Sequence, residues 1–318
     1  MFRRPLIGFL ALAAGFAGVA AWIGHSVPPA LKVAAVAGAP PAFVAPDDAR
    51  IPAGAYGDVI RLGEKVFTQT RLFAPQFVGN DLQCSNCHLQ AGRLAGSAPL
   101  WAAYPAYPAY RAKNGHVNSF EERLQECFRY SMNGKMPPPG DPVLVALQTY
   151  SYFLAKGLPI GEDAPGKGFP QLPKPAVTAD YGRGAAVFAG KCAACHGAQG
   201  QGQVIGGKLV FPPIWGARSY NWGAGMASIQ NAAAFIRANM PLGMGGSLTV
   251  QQAWDVATFV DSQVRPQDPR FDGDVARTRR NFQNSPFSAY GTIVNGVLLG
   301  DPATTPPAGT VPIAKAAK

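Results

Sequence analysis

The sequence predicts a mainly α-helical protein made of two similar domains in tandem, with long ordered loops between the helices. A Cys-x-x-Cys-His motif occurs twice, at residues 84–88 and 192–196, and helix-like segments flank both copies. The 37 Gly and 30 Pro residues among 318 indicate that much of the remaining chain forms turns and loops. A chain of this length also fits two domains of roughly 150 residues each.

Each motif contains the residues that attach a haem covalently. Two thiols separated by two residues lie about one helical turn apart, so they can form thioether bonds to the two vinyl groups of one haem. The adjacent histidine then lies beneath the iron as an axial ligand. A redox dithiol does not require the histidine, and a zinc site would require the two motifs to meet. The sequence therefore predicts two covalently bound haem c groups in two domains of the cytochrome c type, attached through Cys84, Cys87, His88, Cys192, Cys195 and His196.

The two domains repeat the same order of elements. Each begins with a helix that ends in a similar run, Gly63–Phe67 in the first domain and Gly184–Phe188 in the second. A Met-Pro pair follows each haem motif, and each domain closes with an apolar helix whose large side chains recur at helical spacing. The pairs are Met136-Pro137 and Met240-Pro241, and the closing helices cover 141–156 and 249–264. These features predict domain 1 at 53–157 and domain 2 at 178–270.

Four further segments lie outside the two domains. Residues 1–37 hold two arginines followed by a long uncharged stretch, which fits either a cleaved signal peptide or a retained membrane anchor. Both alternatives predict export, with the protein either soluble in the periplasm or anchored to the inner membrane. We assign 38–52 to an Ala- and Pro-rich tether, 158–177 to a proline-rich linker and 271–318 to a C-terminal extension. The net charge of +10 suits anionic partners, but no basic helix supports binding to nucleic acid.

The axial ligand opposite the second histidine is predicted to be a methionine. Methionine is a common partner of histidine at haem iron, and it raises the reduction potential. In domain 2, Met240 follows a predicted helix over 228–238 and directly precedes a proline. We therefore predict that His196 and Met240 hold the second iron, with Met244 as the local alternative.

In domain 1 the sequence leaves the axial ligand open. The internal repeat nominates Met136, whereas Cys127 is the one thiol that neither haem motif uses. Cys127 lies on a predicted helix over 119–133, where Arg123, Cys127 and Ser131 recur every four residues and share one face. A guanidinium one turn away favours the thiolate form, and the thiolate is the form that binds iron. An inert buried cysteine is the third alternative.

Several runs of residues resemble the dihaem thiosulfate dehydrogenases, which form tetrathionate. The similarity extends over about residues 55–270 and so includes both domains. It rests on the runs Ala95–Trp101, Tyr104–Arg111, Glu122–Phe128, Ser131–Lys135, Pro212–Gly216 and Ala253–Ala257. The resemblance implies that His88 and Cys127 are the axial ligands of the first haem. Because Asn239 precedes Met240, the lysine ligand that some members use at the second haem is not expected here.

The resemblance also implies an oxidoreductase that joins two thiosulfate ions into tetrathionate and releases two electrons. Thiosulfate is a small dianion, so a site that brings two of them together needs nearby positive charge. We expect the first thiosulfate to form an adduct with a cysteine, and the expected catalytic residues are Cys127, Arg123, Ser131, Arg111 and Lys135. Electrons should pass from the first haem to the second, and then to an acceptor cytochrome or a terminal oxidase.

Two other functions remain open from the sequence. A dihaem electron carrier without a substrate of its own would need two similar His/Met haems and no special thiol. A sulfur-oxidation cytochrome would load thiosulfate onto a carrier protein through a haem-ligating cysteine. The similarity in both domains favours the dehydrogenase.

Overall fold

The computed structural model describes residues 43–161, 164–206, 208–307 and 309. The predicted signal peptide or anchor at 1–37, and residues 38–42 of the predicted tether, lie outside the described residues. Within the described ranges, no helix is long and apolar enough to cross a membrane. The described residues all belong to one compact unit, which includes both predicted domains.

The first domain is mainly helical. Its α-helices are α1 (Ala55–Thr68), α2 (Thr70–Phe73), α3 (Leu89–Gly92), α4 (Leu100–Ala103), α5 (Phe120–Glu126) and α6 (Pro142–Leu154). An antiparallel hairpin of β1 (Ala109–Arg111) and β2 (His116–Asn118) precedes α5. Short 3-10 turns lie at Asp48–Arg50, Pro75–Phe77, Cys84–Asn86 and Tyr104–Ala106. Helix α1 packs against α6, and the contact buries Ile60, Phe67, Leu144 and Tyr150.

The second domain repeats this pairing of its first and last helices. Its elements are α7 (Tyr181–Lys191), α8 (Ala193–His196), the antiparallel pair β3 (Gln203–Ile205) and β4 (Lys208–Phe211), a 3-10 turn at Gly225–Ala227, α9 (Ile229–Asn239) and α10 (Val250–Asp261). Helix α7 packs against α10, which also contacts α9. Phe188, Trp215 and Val256 are buried in the core beneath these helices. The C-terminal extension adds α11 (Val275–Phe282) and a hairpin of β5 (Ile293–Val294) and β6 (Val297–Leu298).

Polar side chains determine where the long helices begin. The carboxylate of Asp141 accepts a hydrogen bond from Val143 N at 2.8 Å, directly before a proline in the first turn of α6. Thr249 and Gln252 form a reciprocal capping box at the start of α10. Asp180 caps α7 by accepting from Arg183 N at 2.8 Å. Each cap satisfies main-chain donors that the first turn leaves without helical partners.

The repeated glycine of the two domains lies where the paired helices cross. A Cβ atom on Gly63 of α1 would lie 2.1 Å from the Ala146 carbonyl oxygen of α6. A Cβ atom on Gly184 of α7 would lie 2.0 Å from the Asp255 carbonyl oxygen of α10. A glycine is therefore needed at both positions, because any side chain would force the helices apart.

Loops of the second domain pack into the first domain. Tyr220 and Trp222 belong to the same buried core as Trp101 and Phe128, and this core also takes in Tyr290 from the C-terminal extension. Polar contacts join the same loops: Asn221 Nδ2 donates to Asn133 Oδ1 at 2.9 Å, and Arg218 Nη1 lies 2.7 Å from Asp81 Oδ2. These contacts fix the second domain against the first haem motif.

The predicted linker at 158–177 contacts both domains. Gly96 N donates to Gly166 O at 2.7 Å, and Ala98 N donates to Gly168 O at 2.8 Å. At its other end, the linker carbonyl of Pro173 accepts a hydrogen bond from Trp254 Nε1 at 2.8 Å. The described part of the linker therefore supports loop 96–98, which lies next to the first haem motif.

One predicted helix differs in the structure. The helix expected over 119–133 begins as predicted, with Ser119 as its N-terminal cap, but α5 ends at Glu126. A π-helix follows over Cys127–Ser131, in which Met132 N donates to Cys127 O at 3.0 Å. Four residues still make up close to one turn of this wider helix, so Cys127 and Ser131 remain on a similar side of it. The start of the predicted helix is confirmed, whereas its last part is a π-helix that ends at Ser131 rather than an α-helix that ends at Asn133.

Candidate functional site

The first Cys-x-x-Cys-His motif is half-buried along its whole length. Cys84 begins a 3-10 turn, and its main-chain N–H donates to Thr70 Oγ1 at 3.2 Å. The Cys84 and Cys87 thiols keep some accessible surface. Enough protein nevertheless surrounds them that burial raises the pKa of each thiol to about 12. Both are therefore neutral thiols at neutral pH.

The histidine of this motif is oriented by a main-chain carbonyl. His88 Nδ1 lies 2.6 Å from Ala98 O, so this nitrogen donates and Nε2 is left as the electron-pair donor. Burial is the main cause that lowers the pKa of His88, and the nearby Arg123 lowers it further. The ring is therefore neutral at neutral pH, as an iron ligand must be. Ala98 itself adopts a positive φ of 45°, which aims its carbonyl at the ring.

Cys127 lies beside this motif at the first position of the π-helix. The pKa of the Cys84 thiol is raised chiefly by burial, and the nearby Cys127 raises it further. Arg123 lies one turn earlier, and the pKa of its guanidinium is raised chiefly by Cys127, with Tyr107 and Glu126 adding to the effect. Arg123 is half-buried, and its Nη1 lies 3.6 Å from Glu126 Oε2. The structure brings Cys127, Arg123, Cys84 and His88 into one cluster.

The remaining predicted site residues of domain 1 differ in their placement. Arg111 on β1 is half-buried, and its Nη1 donates to Tyr107 Oη at 3.2 Å, so it reaches Arg123 through one phenol. Ser131 is half-buried at the end of the π-helix, where its carbonyl accepts from Asn80 Nδ2 at 2.8 Å. Lys135 is exposed, and among the described residues it has no hydrogen bond or ion pair. Met136, the alternative ligand, has 41% of its surface exposed.

Two cations near this cluster were not among the predicted site residues. The Lys113 ammonium donates to Gly223 O and lies 4.0 Å from the centroid of the Tyr130 ring. Burial, followed by the charges of Arg270 and Arg123, lowers the pKa of Lys113 to about 8. Arg270 stacks over the same ring at 5.2 Å and pairs with Asp268. Because Arg270 ends the second domain, no spacing within the first domain could have identified it.

The second motif repeats the histidine geometry but lies nearer the surface. His196 Nδ1 is 2.9 Å from Pro212 O, and burial lowers the pKa of His196. Burial also raises the pKa of Cys192 to about 11, with the neighbouring Cys195 adding to the effect. Cys195 itself is exposed. The two histidines therefore present the same nitrogen, Nε2, in two different surroundings.

Met240 directly follows α9, and its side chain is half-buried. The local alternative, Met244, has 61% of its surface exposed. Asn239, next to Met240, is buried, and its Nδ2 donates to Phe235 O at 3.0 Å and reaches Gly96 O at 3.5 Å. The segment that carries Met240 therefore touches loop 96–98, which orients His88.

The cysteines and histidines of the two motifs are arranged as covalent attachment of haem c requires. In both motifs, Nδ1 of the histidine is engaged by a carbonyl oxygen, so that Nε2 is available to iron. None of the five cysteines forms a disulfide, so the four motif thiols remain available for thioether bonds. His88 and His196 would each provide one axial ligand, and the four motif cysteines would hold the two porphyrins.

Comparison with known proteins identifies the family. Residues 70–160 match the model described as SoxA/TsdA, cytochrome c domain, and residues 181–263 match the model Cytochrome c. The thiosulfate dehydrogenase of Thiomonas intermedia (strain K12) is 56% identical over 274 residues, which cover 86% of this chain and 87% of that protein. The chain belongs to the thiosulfate dehydrogenase family. The resemblance predicted from the sequence is thereby confirmed.

Other thiosulfate dehydrogenases extend the similarity over nearly the whole chain. The enzyme of Stutzerimonas stutzeri (strain A1501) is 47% identical over 303 residues, 94% of this chain and 99% of that protein. The solved structure of the thiosulfate dehydrogenase TsdBA from Marichromatium purpuratum, in its as-isolated form, matches 82% of this chain with a TM-score of 0.78 and 49% identity. The chain spans 57% of that structure's own length. The predicted fold class of two cytochrome c domains is confirmed, and such domains carry covalently bound haem c.

Proposed function

We propose that this thiosulfate dehydrogenase family member oxidises two thiosulfate ions to one tetrathionate ion, using two bound haems. The observation that carries the proposal is the cluster of Cys127 and Arg123 against the first haem motif. A cysteine outside both haem motifs, with a guanidinium one turn away, is not needed by a simple electron carrier with two His/Met haems. The names of the relatives point to the same substrate.

The proposed axial ligands are His88 and Cys127 for the first iron, and His196 and Met240 for the second. Placing Cys127 at the first iron is supported by its position next to Cys84, whereas Met136 is exposed. Placing Met240 at the second is supported by its half-buried side chain, whereas Met244 is exposed. When bound, the haems accept the two electrons released, and a thiolate ligand lowers the potential of its iron while methionine raises it.

The chemistry of the protein takes place at the sulfur of Cys127. The thiolate and the outer sulfur of the first thiosulfate form an S–S bond, giving Cys–S–S–SO3⁻ and releasing two electrons. The outer sulfur of the second thiosulfate then attacks the sulfur next to the cysteine. That attack breaks the bond to Cys127, regenerates its thiolate and frees tetrathionate, so atoms and charge balance over the cycle. A thiolate is both the stronger nucleophile and the better leaving group for these steps.

Positive side chains offset the repulsion between the two dianions. Arg123 lies nearest the reacting sulfur, and Tyr107 connects it to Arg111. Lys113 and Arg270 lie further along the same cluster, where Lys113 feels the charges of both Arg123 and Arg270. We assign Arg123 to the first thiosulfate and the Lys113–Arg270 pair to the approach of the second. The proposed catalytic roles of Ser131 and Lys135 are supported only by the sequence.

We also propose a location and an electron route. The N-terminal segment at 1–37 fits export, and covalent haem attachment fits the periplasm, with the protein soluble or anchored to the inner membrane. Electrons would leave from the second domain to an acceptor cytochrome or a terminal oxidase. The contact of Asn239 with loop 96–98 supports this route, because it brings the two proposed iron sites together.

Replacing Cys127 with Gly tests the proposal. We expect thiosulfate-dependent reduction of an artificial acceptor to fall by at least about a thousandfold, since removal of a catalytic nucleophile commonly costs more than this. Both haems should stay attached, as counted from the alkaline pyridine spectrum. Met136→Ala is the matched control, because it removes the alternative ligand and should leave turnover unchanged.

Retained turnover in Cys127→Gly would rule out the cysteine adduct. Loss of turnover in Met136→Ala would instead make that methionine the ligand. The oxidised spectrum separates the enzyme from an electron carrier. The far-red band of Met-ligated iron should come from one haem of the two, whereas a carrier with two His/Met haems would show it from both.

A further inference from the structure

The second domain contains a long stretch without acidic residues. Residues 181–254 hold five Lys and Arg residues and no Asp or Glu. The first domain differs, because carboxylates such as Glu64, Asp81, Glu121 and Glu126 are interspersed among its cations. The acid-free stretch contains the second haem motif and Met240, so the positive charge surrounds one proposed haem rather than the whole molecule.

The second haem motif reaches the surface at an apolar patch. Cys195 is exposed, and the β3–β4 hairpin is fixed to the motif through the bond from Gly202 N to His196 O at 2.8 Å. The hairpin carries Val204 and Ile205, with 42% and 58% of their surfaces exposed. Exposed apolar residues grouped around one feature of a soluble domain commonly mark a contact site.

A second exposed apolar group lies on the methionine side of the same proposed haem. Leu242 and Met244, just after Met240, each have 61% of their surface exposed. Arg237 borders this loop, since Gly246 N donates to Arg237 O at 2.8 Å. If His196 and Met240 bind one iron, these two apolar groups lie at the edges of one haem.

The positive charges of this stretch are not all neutralised. Arg183 pairs with Asp255 at 2.8 Å, and Arg218 pairs with Asp81 at 2.7 Å. Lys191, exposed beside Cys192, and Arg237 have no ion pair within the part of the chain that the structure describes. Lys191 thus adjoins the second haem motif, and Arg237 lies three residues before Met240.

We propose that this haem face, defined as Lys191, Cys195, Val204–Ile205, Arg237 and Leu242–Met244, docks an acidic electron-transfer protein. The proposal rests on the proposed function only in that His196 and Met240 hold a haem here. Exposed apolar residues give the close contact that electron transfer needs, and flanking cations attract an acidic partner. With no carboxylate in the stretch, a basic partner would meet only repulsion from it.

The test uses the complete holoprotein and two forms of one probe. Mitochondrial cytochrome c is basic, and the same protein with its lysines succinylated is acidic. The enzyme is first reduced with dithionite, so that neither thiosulfate chemistry nor Cys127 enters the measurement. Stopped-flow absorbance then gives the second-order rate constant for reduction of each oxidised probe as a function of ionic strength.

We expect the acidic probe to react about ten- to a thousandfold faster than the basic probe at low salt, with a rate that falls as salt is added. Lys191→Glu and Arg237→Glu should each slow the acidic probe about three- to tenfold. The control is Lys156→Glu, which makes the same charge change at an exposed position of the first domain and should alter the rate less than twofold.

Equal slowing by Lys156→Glu would overturn the proposal, because net charge rather than this face would then govern the rate. A faster reaction with the basic probe would also overturn it. Reduction of the enzyme by thiosulfate without any acceptor is measured separately. A failure there counts against the proposed function, while the dithionite experiment still decides the docking face.

Discussion

The two Cys-x-x-Cys-His motifs share their local geometry but differ in their surroundings. In both, the histidine Nδ1 is hydrogen-bonded to a main-chain carbonyl, Ala98 in the first and Pro212 in the second. The first motif is half-buried throughout, and burial raises the pKa of Cys84 and Cys87 to about 12. The second motif leaves Cys195 exposed. The same local histidine geometry is thus set in two different surroundings.

The difference arises from what packs around each motif. Tyr220 and Trp222 of the second domain join the core that packs against the first motif, and Lys113 and Arg270, from separate domains, lie near each other, with Lys113 also near Arg123. The second motif is bordered instead by its own short hairpin. The comparison teaches that packing between the domains, rather than the motif itself, decides how far each motif is covered.

The largest expected effect comes from making the two sites alike. Cys127→Met should give both haems a His/Met ligand pair, which approximately doubles the far-red absorption band of the oxidised protein. Thiosulfate turnover should fall at least about a thousandfold, because a thioether cannot form the proposed adduct. Absorbance spectra and acceptor-reduction kinetics check both expectations. Full turnover with a doubled band would show that the cysteine is dispensable.

The next effect concerns the charge beside the reacting sulfur. Arg123→Ala should lower kcat/KM for thiosulfate about 10- to 150-fold, the equivalent of about 1.5–3 kcal/mol for a hydrogen bond to a charged group. Arg237→Ala removes a cation of the second domain and should leave kcat/KM within twofold. Steady-state kinetics with an artificial acceptor measure both. Equal losses in the two variants would mean that the first site has no special electrostatic role.

The shared helix crossing predicts a matched loss of stability in both domains. Gly63→Ala and Gly184→Ala should each lower the free energy of unfolding by about 1–3 kcal/mol, because a Cβ at either position meets a carbonyl oxygen of the partner helix. Gly190→Ala on α7 is the control, since nothing lies within 4 Å of a Cβ there. Denaturant unfolding followed by circular dichroism gives the comparison, and a destabilised control would contradict the steric explanation.

The smallest effect is on the pH dependence of substrate capture. Burial lowers the pKa of Lys113 to about 8, so its ammonium is charged below that pH and loses its charge as the pH rises through it. Attraction for the thiosulfate dianion should therefore weaken, and kcat/KM should fall about three- to tenfold between pH 7 and pH 9. Lys113→Arg keeps the charge and should flatten this profile. An unchanged profile in Lys113→Arg would assign the decline to another group.

Much of the fold followed from local patterns. The motif spacing predicted the haem-attachment segments, and the apolar periodicity predicted α6 and α10 close to their observed bounds. The helix over 119–133 was predicted only in part, because the change to a π-helix at Cys127 depends on hydrogen bonds that no residue spacing encodes. Within the site, Arg123 was predicted by its spacing from Cys127. Arg270 was not, because it is distant in the chain and comes close only through packing of the two domains.

The sequence by itself determined the chemistry available: two haem-attachment motifs, one spare thiol, and a methionine at the end of a helix. These depend on residue identity and short spacing, which local covalent geometry converts directly into structure. Only the tertiary structure decided how far each motif is covered, which charged groups lie near Arg123, and which carbonyl orients each histidine. Those outcomes depend on contacts between segments far apart in the chain, such as the hydrogen bonds of loop 96–98 to the linker. Such contacts determine how far a side chain is buried and which charges lie near it, and these two factors set its pKa.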